Sequence, residues 1–180
     1  MKKQSSFVIE DEASLISWMN KSDSNSMLLI FDVHLLWSGG CEILTPCFDQ
    51  MYSQHENAKE RFACLSMEGQ KYADAFVSLV TFSDSCMMTL DDIIDANEKN
   101  DFNSSSSSEN KASTDMTVIE RMKVLLQKKG EGCAPLFLAV KDRKVVSIVQ
   151  GANYPALHNI VKEHIPKLLS EDDDDKVEVD

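Results

Sequence analysis

The chain has 180 residues, 43% of them apolar, and a formal net charge of −12. That length and apolar content suit one globular domain with some chain to spare, and the charge argues against nucleic acid or anionic membrane as partners. Five cysteines without regular spacing do not form a disulfide framework, no apolar run approaches the ~20 residues of a membrane span, and the start of the chain lacks the apolar stretch of a signal peptide. The expectation is a reducing, cytoplasmic setting.

In chain order, Phe7-Val8-Ile9 reads as a short first strand. Asp11 to Asn20 carries Leu15, Trp18 and Met19 at helical spacing with acids in its first turn, and Lys21 to Ser26 reads as a polar connection. Met27 to Val33 is a continuous apolar run interrupted by Asp32, the pattern of a strand buried on both faces. Trp37-Ser38-Gly39-Gly40-Cys41 follows as a tight Gly-rich turn. From Cys41 to about Tyr72 the pattern is largely helical, with Phe48, Met51, Tyr52 and Phe62 inward and Pro46 expected to kink it. Between Phe62–Met67 and Phe76–Phe82 as the next strand, the latter is preferred for its β-branched and aromatic content.

Residues 83–115 are polar and low in complexity, with five serines at Ser104–Ser108. Such a segment cannot bury enough surface to offset its ordering entropy, so it reads as a disordered, solvated insertion rather than as a set of phosphorylation sites. Thr117 to Lys129 returns to helical order with Val118, Met122, Leu125 and Leu126 on one side and Gly130 as the stop. Cys133 to Leu138 and Val145 to Val149, joined by Lys141-Asp142-Arg143-Lys144, form a hairpin. A last helix spans Pro155 to Leu169, which Pro166 bends or shortens. Residues 170–180 form an acidic tail: from Glu171 to Asp180 there are seven acids and one lysine, half of the net charge.

The turn and its flanks resemble the redox site of thioredoxins. Asp32, Trp37, Cys41, Pro46, Pro135 and Gly151 stand in the order and spacing of that family, over most of the chain outside the insertion and the tail. The resemblance implies an α/β thioredoxin fold, a central mixed sheet flanked by helices, for residues 1–169. It also implies that Pro135 occupies the cis-proline position and that Asp32 sits where thioredoxins keep a proton acceptor for the resolving cysteine. Two positions depart from the family: Ser38 replaces the attacking cysteine, and Gly40 replaces the proline. In a Cys-x-x-Cys site the first thiol is made nucleophilic at a helix N-terminus. A serine hydroxyl does not ionise near neutral pH, so Cys41 is a resolving cysteine with nothing to resolve. Asp32 then reads as a structural remnant, or as an acid that simply caps the turn.

Cys133-Ala134-Pro135-Leu136-Phe137-Leu138 and Val149-Gln150-Gly151-Ala152-Asn153-Tyr154-Pro155 further resemble the thioredoxin-like light chains of ciliary outer-arm dynein and the related thioredoxin–nucleoside diphosphate kinase fusions. This implies a protein-binding subunit of the axoneme, without catalysis and without a cofactor. Its partner would be a dynein heavy or intermediate chain or another light chain. The surface expected to bind is Trp37, Gly39, Gly40, Ala134, Pro135, Gly151 and Ala152. The alternative is a thiol–disulfide protein pairing Cys41 with Cys133; Cys47 is excluded as a partner if it shares a continuous helix with Cys41. His34, His55, His158 and His164 are scattered without zinc-ligand spacing and read as surface residues. The end Val177-Glu178-Val179-Asp180 resembles a chaperone-recognised terminus but reads more simply as solvated tail.

Overall fold

The computed structural model describes residues 6–83, 86, 118–128 and 135–167. The Ser-rich run, the acidic tail, Cys133 and Ala134 lie outside the described residues. The element order is β1 (Phe7–Val8), α1 (Glu12–Asn25), β2 (Leu28–His34), a 3₁₀ turn (Glu42–Leu44), α2 (Thr45–Gln54) and α3 (Ala58–Arg61). There follow β3 (Phe62–Glu68), α4 (Gly69–Leu79), β4 (Thr81–Phe82), α5 (Val118–Lys128), β5 (Leu136–Lys141), β6 (Lys144–Gln150) and α6 (Tyr154–His164). None of the described helices is long and apolar enough to cross a membrane.

The strands form one mixed sheet in the order β1-β3-β2-β5-β6-β4. β2 runs parallel to β3 and antiparallel to β5, so it lies in the interior of the sheet. Its burial is nearly complete along its length. Strand alternation divides its side chains between two cores. Leu29, Phe31 and Val33 meet Leu15 and Met19 of α1, Phe76 of α4 and Leu126 of α5 on one face. Leu28 and Ile30 meet Phe48 of α2, Ala58 of α3 and Leu157 of α6 on the other. This sheet with helices on both faces is the thioredoxin fold.

Three expectations are corrected. The stretch Phe76–Phe82 is not the third strand: Phe76 to Leu79 ends α4, and only Thr81–Phe82 is extended. The strand is Phe62–Glu68, paired in parallel with β2 from Leu28↔Phe62 to His34↔Glu68. The helical reading wins because Tyr72, Ala73, Phe76 and Val77 share one buried face, with Phe76 edge-on to Phe31 at 5.2 Å. The single helix expected from Cys41 to Tyr72 is therefore five separate elements: the 3₁₀ turn, α2, α3, β3 and the start of α4. Pro46 does not kink α2; it sits in the first turn, where its missing N–H has no helical partner to lose.

The third correction concerns α1, which continues through the expected connection to Asn25 and stops at Ser26 in a left-handed conformation (φ 50°). Its start is set by a capping box, with the Asp11 carboxylate accepting the Ser14 N–H at 2.7 Å. At the other end of the chain, α6 stops at His164, because the residue before Pro166 is pushed out of the helical region. The hairpin turn places Asp142 and Arg143 both at positive φ (51° and 55°), the geometry that matches strand twist.

Gly69 sets the spacing between α4 and α5. A Cβ there would lie 2.6 Å from the Leu126 carbonyl oxygen and 2.8 Å from Val33 Cγ1. Gly69→Ala is expected to lower stability by about 1–3 kcal/mol, the usual effect of overpacking. Urea unfolding followed by circular dichroism checks this, and an unchanged midpoint would refute the close approach.

Candidate functional site

The C-terminal end of β2 carries the site. Asp32 is on the same face as Leu28 and Ile30, because side chains alternate along the strand. It is a buried polar residue, 7% exposed. Its Oδ2 accepts the backbone N–H of Cys41 at 2.5 Å, which fastens the turn to the centre of the sheet. Gly40 makes this possible: a Cβ at that position would stand 2.8 Å from Ser66 Oγ and 3.0 Å from Asp32 Oδ2. Ser66 is the β3 residue in register with Asp32. The glycine in the proline's place is therefore a matter of room above two polar side chains. Gly39, by contrast, is required for its positive φ of 63°.

Ser38 is folded into the turn itself. Its N–H and that of Gly39 both donate to the Leu35 carbonyl, at 3.1 and 3.2 Å. Its hydroxyl accepts the Leu35 N–H at 3.2 Å and has the Leu35 and Gly39 carbonyls within reach of its one proton. The expectation that a helix begins at Cys41 is corrected. Cys41 caps the 3₁₀ turn in an extended conformation, and α2 begins only at Thr45. Position 38 therefore lies ahead of the 3₁₀ turn and not at the first residue of α2, so the α-helix N-terminus that would stabilise a thiolate begins further along the chain.

Beside the turn lies an open cavity of about 380 Å³. Trp37, Gly39, Gly40, Pro135 and Ala152, all expected at a binding surface, line it, with Asp32 and Cys41. Gly151 (φ 84°) does not line it but donates its N–H to the Pro135 carbonyl at 2.7 Å, holding the two loops together. Ala134 lies outside the described residues, as does half of the peptide bond before Pro135; no cis bond occurs among the described residues. Sequence reasoning missed Leu36, Ile43, Glu42 and His34. Trp37, Leu36 and Ile43 are 69%, 76% and 78% exposed, and two of them, Trp37 and Ile43, line the cavity. The available signal was Ile43 itself, a large apolar residue between Glu42 and the inward Leu44.

Cys41, Cys47, Cys64 and Cys86 are free thiols. The exclusion of a Cys41–Cys47 pair by helix geometry does not hold, since Cys41 lies outside α2. Burial pushes the Cys64 thiol well up from its ordinary pKa, against the opposing hydrogen bond to Tyr52, and pushes Cys86 up to about 11. Tyr52 itself stacks on Phe62 at 4.4 Å and accepts the Cys64 N–H, and burial drives its hydroxyl pKa up as well. The histidines are not plain surface residues. All four are half-buried, and His55 packs edge-on to Phe62, where burial lowers its pKa. No group of three potential metal ligands occurs among the described residues.

No protein-family model matches the sequence, and no curated protein is similar enough to count as a relative. Solved structures similar to it are thioredoxins. Thioredoxin NaTrxh of Nicotiana alata is 13% identical over 92% of this chain and 97% of its own, with a TM-score of 0.46. Poplar thioredoxin h PtTrxh4 is 14% identical over 91% and 99%, with a TM-score of 0.44. A reduced thioredoxin of Schistosoma mansoni is 14% identical over 89% and 98%, with a TM-score of 0.42.

Gly40→Ala is expected to destabilise the fold by about 1–3 kcal/mol, because its methyl group must displace Asp32 or Ser66. An unchanged thermal midpoint together with an unshifted Cys41 amide resonance would contradict the packing. The thiols give a second check. A raised pKa lowers the thiolate fraction at any given pH, so Cys64 and Cys86 are expected to resist iodoacetamide in the folded protein. Half-buried Cys41 and Cys47 are expected to label first, as read by peptide mapping.

Proposed function

We propose that this thioredoxin-fold chain is a non-catalytic protein-binding subunit, and more narrowly a light chain of ciliary outer-arm dynein, acting in the cytoplasm at the axoneme. The observation that carries the binding reading is the pair of exposed apolar residues, Trp37 and Ile43, that line a cavity. Exposed aromatic and aliphatic residues gathered around a concavity mark a docking surface. The non-catalytic reading is supported by Ser38, whose hydroxyl is engaged within the turn. The dynein reading is supported by the two stretches around Pro135 and Gly151 that resemble those light chains. The partner would be a heavy or intermediate chain, or another light chain.

The wild-type protein is expected to leave insulin disulfides intact in the presence of dithiothreitol, beyond the rate of dithiothreitol alone. Ser38→Cys is expected to stay far below a thioredoxin control, because the N-terminus of α2 begins further along the chain, at Thr45. A tagged chain is expected to recover dynein subunits from ciliary extract, and Trp37→Ala to lose them. Insulin reduction by the wild type would sink the non-catalytic reading. Recovery of no axonemal protein would sink the narrower one.

A further inference from the structure

Resting on the docking reading above, we infer that the cavity beside the turn takes a partner segment in which a large apolar side chain stands next to a lysine or arginine. The apolar half follows from the walls: Trp37, Ile43 and Pro135 line the cavity. The basic half follows from what the polar groups there can still offer. The Glu42 side chain lines the cavity, is exposed, and has no ion-pair partner among the described residues. His34 lines it too, and its Nδ1 donates to the Leu35 carbonyl at 3.0 Å. The Ser38 hydroxyl proton is directed to carbonyls of its own turn.

The exposed charged group that the cavity presents, Glu42, is therefore an acceptor. No lysine or arginine among the described residues lines it. An occupant bearing a carboxylate would meet Glu42 without a compensating cation among the described residues, whereas a guanidinium or ammonium would pair with Glu42. The net charge of −12 extends the same preference to long range and favours encounter with basic segments. Glu42 is the specificity-determining residue in this arrangement, and Trp37 with Ile43 supplies the apolar contact.

The test is selection of a random peptide library displayed on phage against the full chain, as wild type, Glu42→Lys and Trp37→Ala, each first shown to be folded by circular dichroism. Wild type is expected to enrich peptides that place Leu, Ile, Phe or Trp beside Lys or Arg. A synthetic, fluorescently labelled copy of the best peptide is expected to bind Glu42→Lys roughly tenfold more weakly, with the difference shrinking at high salt. Trp37→Ala is expected to retain no peptide. Enrichment that needs Trp37 but shows no basic preference, or a Glu42→Lys affinity equal to wild type, would overturn the charge inference and leave the docking reading standing. No enrichment by the folded wild type would overturn both. A Trp37-dependent dimer in analytical ultracentrifugation would make a second copy the occupant and overturn the assignment to a basic partner.

Discussion

A hydrogen bond from the Cys41 backbone to the Asp32 carboxyl group ties the Gly-rich turn to the middle of the sheet. Asp32 is buried on a strand whose two neighbours hold it in register, so its position is set by the sheet rather than by the loop. A buried acceptor left short of a partner costs about 1–3 kcal/mol, so the carboxyl group keeps the turn down. Everything above it follows from that anchor. Gly40 must lack a side chain to pass over Asp32 and Ser66, Ser38 closes the loop on Leu35, and Trp37 is turned outward to solvent.

The alternation that builds the core also delivers the acid. Leu28, Ile30 and Asp32 point to the α2 and α6 side of the sheet, while Leu29, Phe31 and Val33 point to the α1, α4 and α5 side. A one-residue slip of β2 would bury Asp32 among Phe76, Tyr72 and Leu126 and move Leu29, Phe31 and Val33 into the opposite core. The apolar pairing of the strand with Phe62–Glu68 on one side and Leu136–Val140 on the other opposes any such slip. Stability of the core and placement of the site are thus one requirement.

The chemistry of a dithiol site depends on a helix as much as on cysteines. A thiol becomes a good nucleophile when backbone N–H groups and a helix dipole favour its anion. Here the α-helix starts at Thr45, after a 3₁₀ turn, and the residue in the nucleophile's place is bonded back toward β2. The thiols deepest in the fold, Cys64 and Cys86, are pushed toward their neutral forms by burial. What the turn presents to solvent is apolar surface, Trp37 and Ile43, beside Glu42.

The sequence by itself determined the fold class, and several of the residues it singled out, Asp32, Trp37, Cys41 and Pro135, meet around one cavity. Continuous apolar runs mark buried strands, turn residues mark the hairpin, and the order of Asp32, Trp37, Cys41, Pro135 and Gly151 marks the end of the sheet where loops converge. It did not determine which apolar run after Cys41 was the strand. Phe62–Glu68 and Phe76–Phe82 are both apolar, and only packing distinguishes them: the first fits between β1 and β2, and the second wraps Phe76 against Phe31. Nor did it show that Gly40 answers to Ser66, a residue far along the chain, or that Leu36 and Ile43 remain exposed. Periodicity reports the face of an element. Contacts between elements, and the surface those contacts fail to cover, exist only once the chain has folded.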